Sequence, residues 1–251
     1  MRERDESIQQ RGRELVEVAA RHLPREFEVT GDGDAWPFVA TALVSRMTTT
    51  LRSILELHPA QLEADAGILL RSLYEHAIHL AWLGADPSAV RIEEWRKHDL
   101  AQRLKADTDA REHGIELFSD KDRAELQAQV ERMHGGKLVL ADLARAADQY
   151  WAGKLPGMGA SPEVRSFRGL YAIAYRHYSG VAHPSFRGLN RVVEDLDATH
   201  RRVHLEAEYE GNGPYGLATV IFALALYVTT NTLGWPPDRE IDAVFERHPG
   251  T

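Results

Sequence analysis

Apolar positions recur at helical spacing along almost the whole chain, and the breaks in that pattern fall at proline and glycine. A charged first helix runs from about Asp5 to Arg21 and stops at Leu23-Pro24. Gly31 to Asp34 reads as a loop, and Pro37 suits the first turn of a helix that ends at Glu56, before His58-Pro59. A third helix spans about Ala60 to Leu83. After Gly84 and Asp86-Pro87, Ser88 opens a fourth that reaches Glu112. So short a connection predicts that these two lie along each other as a long antiparallel hairpin. Two shorter helices, Asp120 to Met133 and Leu138 to Tyr150, flank Gly135-Gly136.

Leu155 to Pro162 reads as a loop. Ser161 as a cap, Pro162 at the first helical position and Glu163 in the first turn then predict a helix to Ala182, ended by His183-Pro184. Val203 to Tyr209 alternate apolar and polar, but a single strand has no evident partner, so the stretch is expected to be extended or loop. Tyr215 to Leu233 and Pro237 to His248 form the last two helices. The pattern predicts one all-α domain over residues 1–251, a helical bundle with the N-terminal helix 5–23 peripheral.

The stretch Tyr215 to Trp235 carries no charge, yet its apolar run, Leu217 to Val228, is shorter than the roughly 20 residues a membrane span needs. A helix apolar all round is expected at the centre of a bundle, and no membrane partner is expected. Thirty Lys and Arg against 38 Asp and Glu leave a formal charge of -8, which argues against indiscriminate duplex binding. Cysteine is absent, which removes disulfides, thiolate metal sites and Cys nucleophiles together. The charged N-terminus has no apolar stretch of the signal-peptide kind, and the expected location is cytoplasmic.

Two helices carry polar groups where the pattern predicts burial. In ILLRSLYEHAIHLAWL, Arg71, Glu75 and His79 fall at four-residue steps on one face. Either Arg71 and Glu75 pair inside the bundle or they serve a site. In RGLYAIAYRHYSGVAHPS, Tyr171, Tyr175, Ser179 and His183 fall at successive four-residue steps, and Arg176 returns to the face of His183 after two turns. These stripes are equally those of amphipathic core tyrosines and a capping histidine. An imidazole near a helix C-terminus is favoured in its protonated form.

RSLYEHAIHLAWL followed by YRHYSGVAHPS resembles a bacterial family of uncharacterised helical proteins, in which an Arg-x-x-x-Glu helix precedes a Tyr-x-x-x-Ser-x-x-x-His-Pro helix end. More distantly the chain is similar to the HEPN superfamily of helical nucleotide-binding and RNase domains, whose hallmark is an Arg, a polar neighbour and a His after four to six residues. Arg176, His177 and His183 match that pattern at its upper limit, and the resemblance covers roughly residues 61–190. It implies a HEPN-like core with additional helices, and either a metal-independent endoribonuclease or a protein that binds RNA or a nucleotide. It implies a homodimer, no cofactor, and a toxin or defence setting. Arg176, Ser179 and His183 would be catalytic, with Arg71, Glu75, His79, Tyr175, His177 and Tyr178 against the substrate. From Glu163 to Arg202, seven arginines face four acidic residues, which is enough positive surface for a single strand.

Two other classes compete. Glu75 and His79 are one turn apart, as are Glu94 and His98 on the next helix, and facing one another they would form an iron or zinc site. A non-catalytic ligand-binding module would use the same polar groove without turnover.

Overall fold

The computed structural model describes residues 2–24, 26–27, 35–156, 166–179, 193–197, 200–203 and 213–248. The fold is all-α. Its helices are α1 (Arg2–His22), α2 (Ala35–Leu57), α3 (Glu63–Ala85), α4 (Ala89–Arg111), α5 (Asp120–Arg132), α6 (Leu140–Trp151), α7 (Phe167–Leu170), α8 (Gly213–Leu233) and α9 (Asp238–Arg247). A π-helical stretch, Tyr171–His177, continues α7.

α3 and α8 form the centre. α3 packs on α2, α8 and α6, and α8 packs on α2, α1 and α9. α8 is long and apolar enough to cross a membrane, and here most of its surface is buried among its neighbours. α1, expected at the periphery, instead places Leu15, Val16, Val18 and Ala19 in the core. Glu6, Arg13, Glu17 and Arg21 stay on its exposed side, and the apolar stripe seats it against α2 and α8.

The α1–α9 contact is also polar. Glu14 accepts from Arg247 at 2.7 Å and bonds His248 at 2.9 Å, and Glu240 meets Arg21 and His22 at 3.0 and 2.8 Å. Burial by itself raises the Glu14 pKa, but the bonds from His248, Arg247 and Gln10 outweigh it and bring the carboxyl down to about 2. Arg11 lies across the Phe245 ring and caps the end of α9 at the His248 carbonyl.

The long α3–α4 hairpin expected from the short connection does not form. The two helices meet near their joint, where Arg91 lies over the Trp82 ring and His79 stands beside Trp95, and then diverge. α4 is polar nearly all round and has no apolar stripe to lay on α3. It pairs with α5 instead, and its buried Leu100 and Leu104 stand outside the main core. α6 takes the vacated face of α3 with Leu143, Ala144, Ala147 and Trp151, whose indole donates to the Ala81 carbonyl at 2.8 Å.

The α4–α5 arm is tied by Asp107, which is fully buried. Its carboxylate accepts from Arg111, Arg123 and the backbone N–H groups of Leu117 and Phe118. Burial raises its pKa, but these hydrogen bonds prevail and hold it below the usual carboxylate range. A depressed folded-state pKa adds stability above the unfolded value near 3.9 and loses it as pH falls through the folded value. We therefore expect Asp107→Asn to strip hydrogen-exchange protection from α5 at neutral pH while the α3 and α8 amides keep theirs. Acidification below about pH 4 should do the same to the wild type. Equal loss across α3 would show that the arm is not a separate unit.

The helix expected from Pro162 begins later. Ser161, Pro162 and Glu163 lie outside the described residues, and Ser166 is the cap, its hydroxyl accepting from Gly169 N–H at 2.8 Å. Of Val203 to Tyr209 only Val203 is described. It ends a strand, β2 (Arg201–Val203), that does have a partner: β1 (Val193–Asp195) runs antiparallel to it with Val193 opposite Val203.

Candidate functional site

α3 turns Gly67, Arg71 and Glu75 to one side at four-residue steps, and the π-helical extension of α7 crosses that side. The crossing begins at the α7 N-terminus, where the Asp148 carboxylate of α6 accepts from Phe167 N–H at 2.6 Å and Arg168 N–H at 3.1 Å. The buried Tyr74 phenol donates to the Phe167 carbonyl at 2.6 Å. Burial pushes the Tyr74 pKa up, and Asp148 and Tyr171 add to the shift, so this hydroxyl stays a donor.

Downstream, Tyr171–His177 is π-helical, with i→i+5 bonding. The inward stripe is Phe167, Leu170, Ala174 and Tyr178, and Tyr171, Tyr175 and Ser179 flank it half-buried. Arg176 faces solvent, so the structure does not bring it to Arg71. Tyr178, expected against substrate, is buried at 7% exposure on the bare Cα of Gly67. His177 stands edge-on to the Tyr178 ring at 4.9 Å. His183 lies outside the described residues.

The structure does assemble Arg71, Glu75 and Tyr175. Arg71 donates through Nε to Glu75 at 3.2 Å and through Nη2 to the Tyr175 hydroxyl at 3.2 Å, and its guanidinium lies 4.7 Å from the centre of the Tyr175 ring. Tyr171 stacks on Tyr175 at 5.1 Å, nearly parallel, and Tyr74 tilts against both at 6.4 Å. Arg71 keeps 23% of its side-chain surface exposed and Glu75 39%. The result is a planar cation fixed at two points beside a short aromatic stack.

His79 and the metal alternative are placed differently. His79 Nδ1 bonds the Glu75 carbonyl at 2.8 Å; burial lowers its pKa first, and the nearby His76 and His98 lower it further against that bond. His98 accepts from Leu138 N–H at 3.3 Å, and the Glu94 stem packs on Gly135. Among the described residues no three His, Asp or Glu side chains gather as metal ligands, so Glu75, His79, Glu94 and His98 are not brought together as a set.

Sequence reasoning missed a second polar cluster at the α2–α3 turn. Gln9 bonds His58 Nδ1 at 2.8 Å, and the His58 ring stands edge-on to Tyr215 at 4.5 Å. Glu63 is buried in the first turn of α3. The Tyr215 hydroxyl is buried and has no hydrogen-bond partner among the described residues. Burial, with Glu63, Tyr178 and Asp65, pushes its pKa up to about 12. Gln61, between His58 and Glu63, takes the left-handed φ of 55° where glycine is favoured. Asp148, Tyr74 and Gly67 were missed as well; only Gly67, a glycine inside an apolar helical run, carries a signal of close approach.

The fold and this cluster define an all-α bundle with a half-buried arginine–tyrosine platform on its central helix. The chain belongs to DUF5677, a family of unknown function, which it matches over residues 38–200. No curated protein and no solved structure matches it.

Proposed function

We propose that the chain binds single-stranded RNA, or a nucleotide, on the Arg71–Tyr175 platform and cleaves RNA without a metal, in the manner of the HEPN domains its Arg176–His183 segment resembles. The observation that carries this reading is the guanidinium of Arg71, oriented by Glu75 and Tyr175 and laid on an aromatic stack. A planar fork suits a phosphate, and aromatic faces suit unstacked bases. In the cleavage step the ribose 2′-oxygen loses its proton and bonds to phosphorus, and the bond to the 5′-oxygen breaks. That oxygen takes up a proton, leaving a 2′,3′-cyclic phosphate and a 5′-hydroxyl. His183 moves one of these protons and Arg176 neutralises the phosphorane charge. Two copies of the chain complete the site.

The binding half is tested by titrating a labelled single-stranded RNA in chelator. Arg71→Ala is expected to weaken binding at least 10-fold, and Tyr175→Leu similarly, since each base stacked on an aromatic ring contributes about 1–3 kcal/mol. Unchanged affinity in both variants, with folding verified by circular dichroism, would leave the Arg71–Glu75 pair a structural one.

A further inference from the structure

A recess of about 480 Å³ lies on the solvent side of α2, walled by Leu23, Pro24 and Phe27 where the chain leaves α1. Its α2 floor runs from Phe38 to Arg52, residues about 21 Å apart and about four turns along one face. The Phe38 end is aromatic: Phe38 is 49% exposed and meets Phe27 edge-on at 5.9 Å. An exposed aromatic pair of this kind is apolar surface that a ligand can cover. At the other end the Arg52 guanidinium makes no ion pair or hydrogen bond among the described residues, even with Glu56 one turn beyond it.

Between these ends the floor has little polarity to offer. Thr41, Thr48 and Thr49 donate their hydroxyls to the carbonyls of Pro37, Val44 and Ser45, leaving Ser45 as the one floor hydroxyl without such a bond among the described residues. The helix backbone is likewise spent on its own hydrogen bonds. A peptide or nucleic-acid strand laid here would lose water from its polar backbone groups and find few partners for them. A second helix, about 10–12 Å across, is too wide for a recess of this volume and length. An alkyl chain needs no partners, and one of about 16 carbons spans the distance from Phe38 to Arg52.

We propose that this recess binds one free long-chain fatty acid, with its carboxylate on Arg52 and the end of its tail against Phe27 and Phe38. A guanidinium fork meets a carboxylate through two parallel hydrogen bonds. The recess is concave, so a single chain can enter it and a flat bilayer surface cannot. The ligand is therefore the monomeric acid and not a membrane. The site lies opposite the buried face of α2 and rests on nothing proposed for the Arg71–Tyr175 platform.

Isothermal titration with a series of saturated fatty acids, from chains too short to fill the recess to chains too long for it, tests this below the micelle concentration of each. Affinity should rise about two- to fourfold per added methylene, as each leaves water for the floor, and stop rising near about 16 carbons. The alcohol of the same length should bind at least about 10-fold more weakly, because it cannot form the charged pair. Arg52→Ala should bring the acid down to the alcohol's level. Ala42→Trp, which fills the middle of the floor, should abolish binding of both. Ala42 and Arg52 are exposed, so circular dichroism should be unchanged in each variant. The proposal is overturned if no acid binds, if acid and alcohol bind the wild type equally, or if affinity climbs with chain length and never levels. Binding that survives Ala42→Trp would place the chain elsewhere and overturn it too.

Discussion

Gly67→Ala is expected to destabilise the fold by about 1–3 kcal/mol, the range for adding a methyl group to a packed site. In an ordinary helix interior the same change stabilises by roughly 0.5–1 kcal/mol, so the sign alone is informative. The reason is geometric: a Cβ at Gly67 would come 2.1 Å from Cδ1 and 2.5 Å from Cε1 of Tyr178. The ring has little room to retreat, because the segment bearing it is tied to α3 upstream by the Tyr74 bond to Phe167 and by Arg71 on Tyr175. Relief must therefore lift the π-helical stretch from α3, separating Tyr175 from Arg71. Urea denaturation should show the lower midpoint, and affinity for single-stranded RNA should fall with it. A more stable Gly67→Ala protein would mean that Tyr178 is not seated on Gly67.

His183→Ala is expected to lower RNA cleavage by about 10²–10⁴-fold, the usual contribution of a positioned proton-transfer group. Urea midpoint and RNA affinity should stay near those of the wild type, because the proposed function gives the binding of the strand to Arg71, Tyr171 and Tyr175 and only the proton transfer to His183. Single-turnover cleavage separates the two effects. A variant that binds and cuts as the wild type does would remove His183 from the chemistry and leave the platform a binding site alone.

Most helices are legible because their signals are local. Pro24, His58-Pro59, Asp86-Pro87 and the capping Ser88 mark ends that the structure places within a few residues. The α3–α4 arrangement is not legible from loop length, since where α4 goes depends on its lacking an apolar stripe and on α6 competing for the same face of α3. The start of α7 escapes local reading because its N-terminus is satisfied by Ser166 and by Asp148, a residue 19 positions away that no local pattern reveals.

The candidate site is half legible for the same kind of reason. Four-residue spacing on α3 finds Arg71 and Glu75, and the same spacing finds Tyr171 and Tyr175, which do stack. Arg176, two residues from the buried Ala174, faces solvent, and Tyr178, four residues beyond Ala174, turns inward.

The central claim is that this chain cuts single-stranded RNA without a metal. Its most direct measurement is the end chemistry of a single-stranded RNA incubated with the purified, untagged protein in chelator, with His183→Ala as the control. The account predicts fragments ending in 2′,3′-cyclic phosphate and beginning with 5′-hydroxyl, produced by the wild type and not by the variant. RNA that stays whole in chelator and is cut only when a divalent metal is restored would contradict it, as would RNA that is neither bound nor cut.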